Sequence, residues 1–297
     1  MGNRFELSVV AEDEAWAIDC MNAAVEEIRR IENLLTTFND SSLTNKVNRH
    51  AGISPVEVGP EFFYLVKRSK RISDITQGAF DITYGSIDKK LWNFDKTMTS
   101  LPDPQLAREM VRLINYRNVI LDEKNYSVFL KEKGMRIGFG GIGKGYAAEK
   151  AKLLLQERGV QSGIVNAAGD LTTWGFHPGG KPWTIGIADP NNTRHVFSQL
   201  NITNTSVATS GNYEKFIVIN GKKYSHTIDP KTGLPVTGIK SVTIISPNAE
   251  LADAMATPVM IMGVKAGLDM VNQVKGMACI IVDDNNKFYT SKNINIK

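Results

Sequence analysis

Cysteine is scarce in this chain. Two residues, Cys20 and Cys279, stand in 297, too few for a disulfide framework and without zinc-ligand spacing. Cys20 falls in a helical pattern and Cys279 in the apolar run 277–282, so both read as buried small hydrophobes. No run approaches 18 consecutive apolar residues, which argues against a membrane span. Charge of one sign is not concentrated either. The net charge is +4 and the pI about 8.9, with no Lys/Arg cluster interleaved with aromatics, so nucleic acid is not the expected partner. No signal peptide is expected in the first residues, because Met1-Gly2-Asn3-Arg4-Phe5 leads directly into what reads as a strand. Met1-Gly2 resembles a myristoylation start, but Glu6 stands where Ser or Thr is needed. Repeats, low-complexity tracts and linkers are absent.

What is present is ordinary in bulk: 42% hydrophobic and 22% charged residues, over a length that allows one large domain or two intimate lobes. Residues 5–10 read as a strand. From 15 to 35, Ile18, Met21, Val25, Ile28, Ile31 and Leu35 recur every three or four residues, which predicts an amphipathic helix. Residues 36–55 read as a polar loop. Pro60 opens a helix to about Thr76, and Pro104, after the cap candidate Asp103, opens one to about Asn115. Short β-like runs at 119–121 and 128–130 flank a polar turn. Residues 162–245 form a β-rich block of short β-branched and aromatic runs. A helix from Asn248 or Glu250 to about Gly263, another over 265–274, and strands at 277–282 and 287–290 complete the chain. Helices and strands interleave without regular βαβ alternation, which predicts an α+β fold.

Three segments carry chemistry. In the first, Ser225-His226-Thr227-Ile228-Asp229-Pro230-Lys231-Thr232-Gly233-Leu234-Pro235, one imidazole precedes an Asp-Pro turn in which Gly233 can take a left-handed backbone. In the second, Ala252-Asp253-Ala254-Met255-Ala256-Thr257, the spacing sets the Asp253 and Thr257 oxygens on one helical face, one turn apart. These are hard donors that suit Mg2+ rather than zinc; an N-terminal helix cap is the structural alternative. In the third, residues 136–148 run from a short apolar strand through Gly138, Gly140, Gly141 and Gly143 into a helix with Lys144 in its first turn. Gly145 follows Lys144 where a P-loop needs Ser or Thr. Asp170 comes too late, and in the wrong setting, for a dinucleotide fingerprint. What the loop retains is backbone N–H groups and a lysine able to receive phosphate, or simply a tight strand-to-helix turn.

Taken in order, these segments resemble the ApbE-type FAD:protein FMN transferases. The matching stretches also include Thr76-Gln77-Gly78-Ala79-Phe80-Asp81, Leu91-Trp92-Asn93-Phe94, Asn166-Ala167-Ala168-Gly169-Asp170-Leu171 and Ala208-Thr209-Ser210-Gly211-Asn212-Tyr213-Glu214, spanning almost the whole chain. One departure is Ala168, where the family usually has glycine. The resemblance implies a single flavin transferase domain over 1–297, built as two packed α+β lobes with the flavin nucleotide between them. It implies Mg2+-dependent transfer of FMN from FAD to a Thr or Ser hydroxyl of a target flavoprotein, with release of AMP. It further implies Asp253, Thr257 and the Gly141 carbonyl as Mg2+ ligands, and His226 as general base or guide for the acceptor hydroxyl. Flavin contacts are expected from Met1, Phe38, Ala79, Phe80, Asp81, Gly138, Lys144, Asp170, Thr227 and Ile228. Phe38 suits an aromatic ring face, or else anchors its loop. Lys144 suits phosphate, and Asp170 a ribose hydroxyl or a turn.

The partners expected on the same ground are FAD and an acceptor subunit of a membrane redox complex carrying a Thr/Ser motif. Family members are commonly exported lipoproteins, so an exported, membrane-anchored, periplasm-facing protein is the expectation, with a cytoplasmic one as the alternative. Two rival functions stay open. An FAD pyrophosphatase would use the same site with water as acceptor. A non-catalytic flavin-binding protein would need neither the Asp253–Thr257 pair nor His226. His50, His177 and His195 read as non-catalytic, and Trp174 and Trp183 as core or lobe-interface residues, with Trp92.

Overall fold

The spacing of apolar residues after residue 13 forms the helix expected of it. The computed structural model describes residues 4–87, 100–189, 192–212, 216–219 and 221–294, and for residues 188, 189, 192–198 and 222 the backbone alone. Met1, the segment 91–94 with Trp92, and Tyr213-Glu214 lie outside the described residues, and so does the side chain of His195. The first strand is β1 (Phe5–Val9), followed by α1 (Glu14–Leu35), whose inner stripe of Cys20, Ala24, Ile28, Ile31 and Leu35 is buried. Asp13 caps it by accepting the Trp16 amide.

The segment expected as a loop contains a helix, α2 (Leu43–Arg49). Its polar residues make side-chain hydrogen bonds that help to hold it, while Val47 and Leu43 are its apolar contacts with the core. Ser42 caps it through the Asn45 amide, and Asn45 Nδ2 donates to the carbonyls of Thr37 and Asn39. Then come β2 (Val56–Glu57), α3 (Gly59–Ile75), α4 (Pro104–Met110), β3 (Val119–Asp122) and β4 (Ser127–Leu130). α4 stops five residues before the expected Asn115, because Asn115 instead caps a 3-10 turn through the Arg117 amide.

α5 (Gly143–Glu157) closes at Gly159, which has φ 97°. The β-rich block comprises β5 (Gly163–Ala167), β6 (Asp170–Trp174), β7 (Trp183–Asp189), β8 (Asn192–Ile202), β9 (Ser206–Gly211), β10 (Phe216–Ile219), β11 (Lys222–Ser225) and β12 (Ile239–Ser246). α6 (Ala249–Val271), β13 (Ala278–Asp283) and β14 (Phe288–Thr290) follow. The two helices expected after Asn248 are both present, joined end to end within α6 and divided at Gly263 (φ 82°, ψ 171°). α6 is long and apolar enough to cross a membrane by length and composition, yet half of its most apolar window is buried inside the protein. It packs on β9 and β12 as a core helix.

The fold is α+β. Seven antiparallel strands form the main sheet in the order β1-β5-β6-β9-β12-β13-β14. α5 and α6 cover it, and α1 lies on α5. A second, three-stranded sheet, β2-β4-β3, packs with α3. One apolar core runs through both parts, from Phe62, Val128 and Leu130 to Ile244, Val259 and Ile281. Trp174 and Trp183 are buried as read from the sequence, and so are both cysteines. Burial holds the Cys279 thiol up at about 11.

Candidate active site

The glycine segment does not begin as the expected strand. Residues 136–139 have no strand pairing, because side chains replace a neighbouring strand. Asn48 Oδ1 accepts the Ile137 amide at 2.7 Å while its Nδ2 donates to the Ile137 carbonyl at 3.1 Å. Ser86 Oγ bonds the amide and the carbonyl of Arg136 in the same way. The loop is thereby pinned before it turns into α5.

α5 has no side-chain cap of its own, and α6 supplies one. Asp253 Oδ2 accepts the Gly145 amide at 2.8 Å, and the Lys144 amide also bonds this carboxylate. The N-terminal amides expected to receive phosphate therefore hold Asp253. Gly145 is required for this contact: a Cβ there would lie 2.1 Å from the Ala249 carbonyl oxygen and 2.7 Å from Asp253 Cβ.

Lys144 likewise faces inward, its Nζ 2.5 Å from Asp170 Oδ2. Asp170 opens β6, is 3% exposed, and accepts the Thr209 amide at Oδ1. Its Oδ2 is buried, and the ammonium is what neutralises it. Asp170 and Asp253 are in mutual reach. Burial, and then the charge of Asp170, push the Asp253 carboxyl up to about 7; burial also raises Asp170, against the pull of Lys144. One turn along α6, the half-buried Thr257 lies 3.4 Å from Ser210 (Oγ1 to Oγ). Thr209 and Ser210 thus join the site from β9. Their place in the segment 208–214 was the sequence signal; their roles needed the sheet.

The other candidates gather around the loop. Gly141 lies against the Phe80 ring, with an added Cβ 3.5 Å from Cε2. Gly138 lies near Thr37, next to Phe38. Phe38 is 96% exposed, so it does not anchor its loop and its ring faces are open. Ala79 and Phe80 are buried, and the Phe80 amide is held by Thr76 Oγ1. Asp81 is buried, with its carboxylate bonded within the protein. Its oxygens accept the Thr83 amide, the Thr83 hydroxyl and the Tyr116 amide, while burial raises its pKa. Its place is in the turn that presents residues 78–80.

His226, half-buried, follows β11 directly. The turn after it is stiff. The Gly233 amide bonds the Asp229 carbonyl, the Asp229 amide bonds the Leu234 carbonyl, and Gly233 has φ 70°. A side chain at Gly233 would strike the Ala107 carbonyl of α4 at 2.1 Å. Thr227 and Ile228 are buried, and Ile228 packs with Ile87, Ala107 and Val111. Tyr84, held up at about 12 by burial, bonds the Ile228 backbone, and Lys231 approaches Gly78. The turn after His226, the 78–84 segment and the glycine loop are therefore contiguous. His50 and His177 lie elsewhere, bonded to the Lys46 and Pro178 carbonyls.

The donors fit a hard divalent cation. Asp253 and Thr257 offer oxygens from one helical face, and buried Asp170 adds a second negative charge. Among the described residues no group of three His, Cys, Asp or Glu side chains is placed to hold a metal ion.

Known proteins resemble this chain over nearly its whole length. The ApbE family profile matches residues 1–281. A Klebsiella pneumoniae FAD:protein FMN transferase is 32% identical over 287 residues, covering 96% of this chain and 87% of the relative. One from Treponema pallidum is 30% identical over 281 residues, covering 88% and 77%. The crystal structure of the ApbE protein from Thermotoga maritima superposes with a TM-score of 0.86 at 32% identity, covering 98% of this chain and 94% of that one. The apo Pseudomonas stutzeri flavinyl transferase ApbE does so at 0.85 and 25%, covering 98% and 92%. The chain belongs to the ApbE family.

Proposed function

We propose that this FAD:protein FMN transferase moves FMN from FAD onto a Thr or Ser hydroxyl of a target flavoprotein and releases AMP, with Mg2+ held by Asp253, Thr257 and the Gly141 carbonyl. The observation that carries this reading is the buried Asp253 carboxylate beside Asp170, with the Thr257 hydroxyl one turn along. Bound Mg2+ would neutralise charge on the pyrophosphate oxygens.

The remaining tasks fall to the chain itself. The exposed ring of Phe38 offers a stacking face to isoalloxazine or adenine. The segment 78–81 and the glycine loop, packed together through Phe80 and Gly141, form a wall against which the flavin half is held. His226 accepts the proton of the acceptor hydroxyl as that oxygen bonds to the FMN-side phosphorus; the phosphoanhydride bond breaks and AMP leaves. Fixed backbone on both sides of His226 keeps the imbalance in orientation small, which in-line transfer requires. The acceptor fitting this chemistry is a Thr- or Ser-bearing subunit of a membrane redox complex.

The test is incubation with FAD and Mg2+, with and without a Thr-bearing acceptor peptide. AMP release coupled to covalent flavin on the peptide is expected. AMP and free FMN in equal amounts whether or not peptide is present would identify a pyrophosphatase, and neither product would leave a flavin binder.

A further inference from the structure

In the sequence Lys144 suits phosphate and Asp170 a ribose hydroxyl or a turn; the structure pairs the two with each other inside the site. Asp170 is 3% exposed, and its Oδ2 has the Lys144 ammonium at 2.5 Å. The Lys144 side chain is itself three-quarters covered. Two buried carboxylates share this one ammonium, and once both are ionised two negative charges stand against it. Such an arrangement leaves about one charge short of neutrality, which in a low-dielectric setting is costly.

We infer that Lys144 is the resident counter-ion of the cation site, holding Asp170 while the site is empty and giving up that carboxylate when a divalent cation enters. The idea rests on the proposed Mg2+ site. Asp170 is then a positioning residue with a second use as an acidic neighbour of the cation. A dication would satisfy both carboxylates, and the ammonium, tethered in the first turn of α5, would be free to turn toward an anion bound beside the loop. Cation and nucleotide phosphate would therefore assist each other's binding through the release of one side chain. The backbone needs no change, since the Gly145 amide and the Thr209 amide hold Asp253 and Asp170 independently of Lys144.

The experiment measures Mn2+ binding to the nucleotide-free full chain by electron paramagnetic resonance. Lys144→Met should tighten Mn2+ about tenfold or more, because a competing positive charge is removed. Asp170→Asn should weaken it. In the double variant the gain from Lys144→Met should vanish, since without Asp170 the ammonium has no carboxylate to give up; a general electrostatic effect of Lys144 would instead persist and simply add. Lys144→Gln, with a thermal melt on each protein, guards against misfolding. Unchanged or weaker Mn2+ binding in both Lys144 variants, or strict additivity in the double variant, overturns the inference. Absence of Mn2+ binding in the intact protein overturns the metal site itself, and this inference with it.

Discussion

Asp253 Oδ2 accepts the Gly145 amide at 2.8 Å, joining the middle of the chain to its last long helix across 108 positions. One carboxylate thus caps the helix after the glycine loop and faces the proposed cation. The two duties can be separated. Asp253→Asn retains an acceptor oxygen for the amide while losing the charge, so it should fold with a nearly normal melting temperature. Turnover with Mg2+ should drop by orders of magnitude, on the several-kcal/mol scale of metal-ion stabilisation. Near-normal turnover in a folded Asp253→Asn protein would remove Asp253 from the cation site.

Gly145→Ala probes the same junction from the other side. The methyl group would sit 2.1 Å from the Ala249 carbonyl oxygen, so α5 and α6 must part. Overpacking of this kind costs about 1–3 kcal/mol, and denaturant unfolding should report it. The loss should be accompanied by weaker Mn2+ binding, because Asp253 loses its amide partner.

Ala168 occupies the first central position of the two-residue hairpin between β5 and β6, where Ala167 pairs with Asp170. Ala168 has φ 54° and Gly169 φ 99°, the signs of a type I′ turn, which favours Asn-Gly. A Cβ residue in the left-handed region costs about 1–2 kcal/mol, and Asn tolerates it better. Ala168 is exposed, so Ala168→Asn should raise stability by roughly 0.5–1 kcal/mol without repacking anything. No gain in the unfolding midpoint would show that the turn is already relaxed.

How far the sequence disclosed this molecule depended on the range of the interaction. The periodicity of α1 and the one-turn spacing of Asp253 and Thr257 are local, and both stand in the structure as read. α2 escaped because its polar residues are used for side-chain bonding to Thr37 and Asn39 rather than for an apolar face. The lead-in to the glycine loop looked like a short apolar strand, but its partners are Asn48 and Ser86 rather than another strand. The order of the main sheet, with β6 beside β9 and β9 beside β12, is non-local. So is the pairing of Lys144 with Asp170, and no window of sequence could reveal that the loop's lysine and amides are satisfied internally.

Stability should depend on pH through Asp253 with a definite sign. Burial and the charge of Asp170 hold its carboxyl up to about 7 in the folded protein, while in the unfolded chain it ionises near 4. Between those values the folded state binds more protons, so stability falls as pH rises from about 4 to about 7. Asp170, shifted upward by burial, acts in the same direction. Denaturant unfolding in EDTA should show this fall, and Asp253→Asn should flatten it relative to the intact protein. A difference between the two proteins that stays constant across the range would show that Asp253 is ionised in both states.

His226 separates base from positioning. It is half-buried and precedes a turn fixed by the Asp229, Gly233 and Leu234 main chain. That turn makes most of its bonds without the imidazole, so His226→Ala should leave FAD binding and thermal stability close to normal. If the imidazole takes the acceptor proton, single-turnover FMN transfer should fall by about 10²–10⁴-fold. The intact enzyme should then lose activity on the acid side of its pH–rate profile in a way that the variant does not. A variant that binds less FAD but transfers what it binds at the normal rate would make His226 a support for the turn. Catalysis would then rest on charge neutralisation at Asp253 and on alignment of the acceptor by the fixed loops around it.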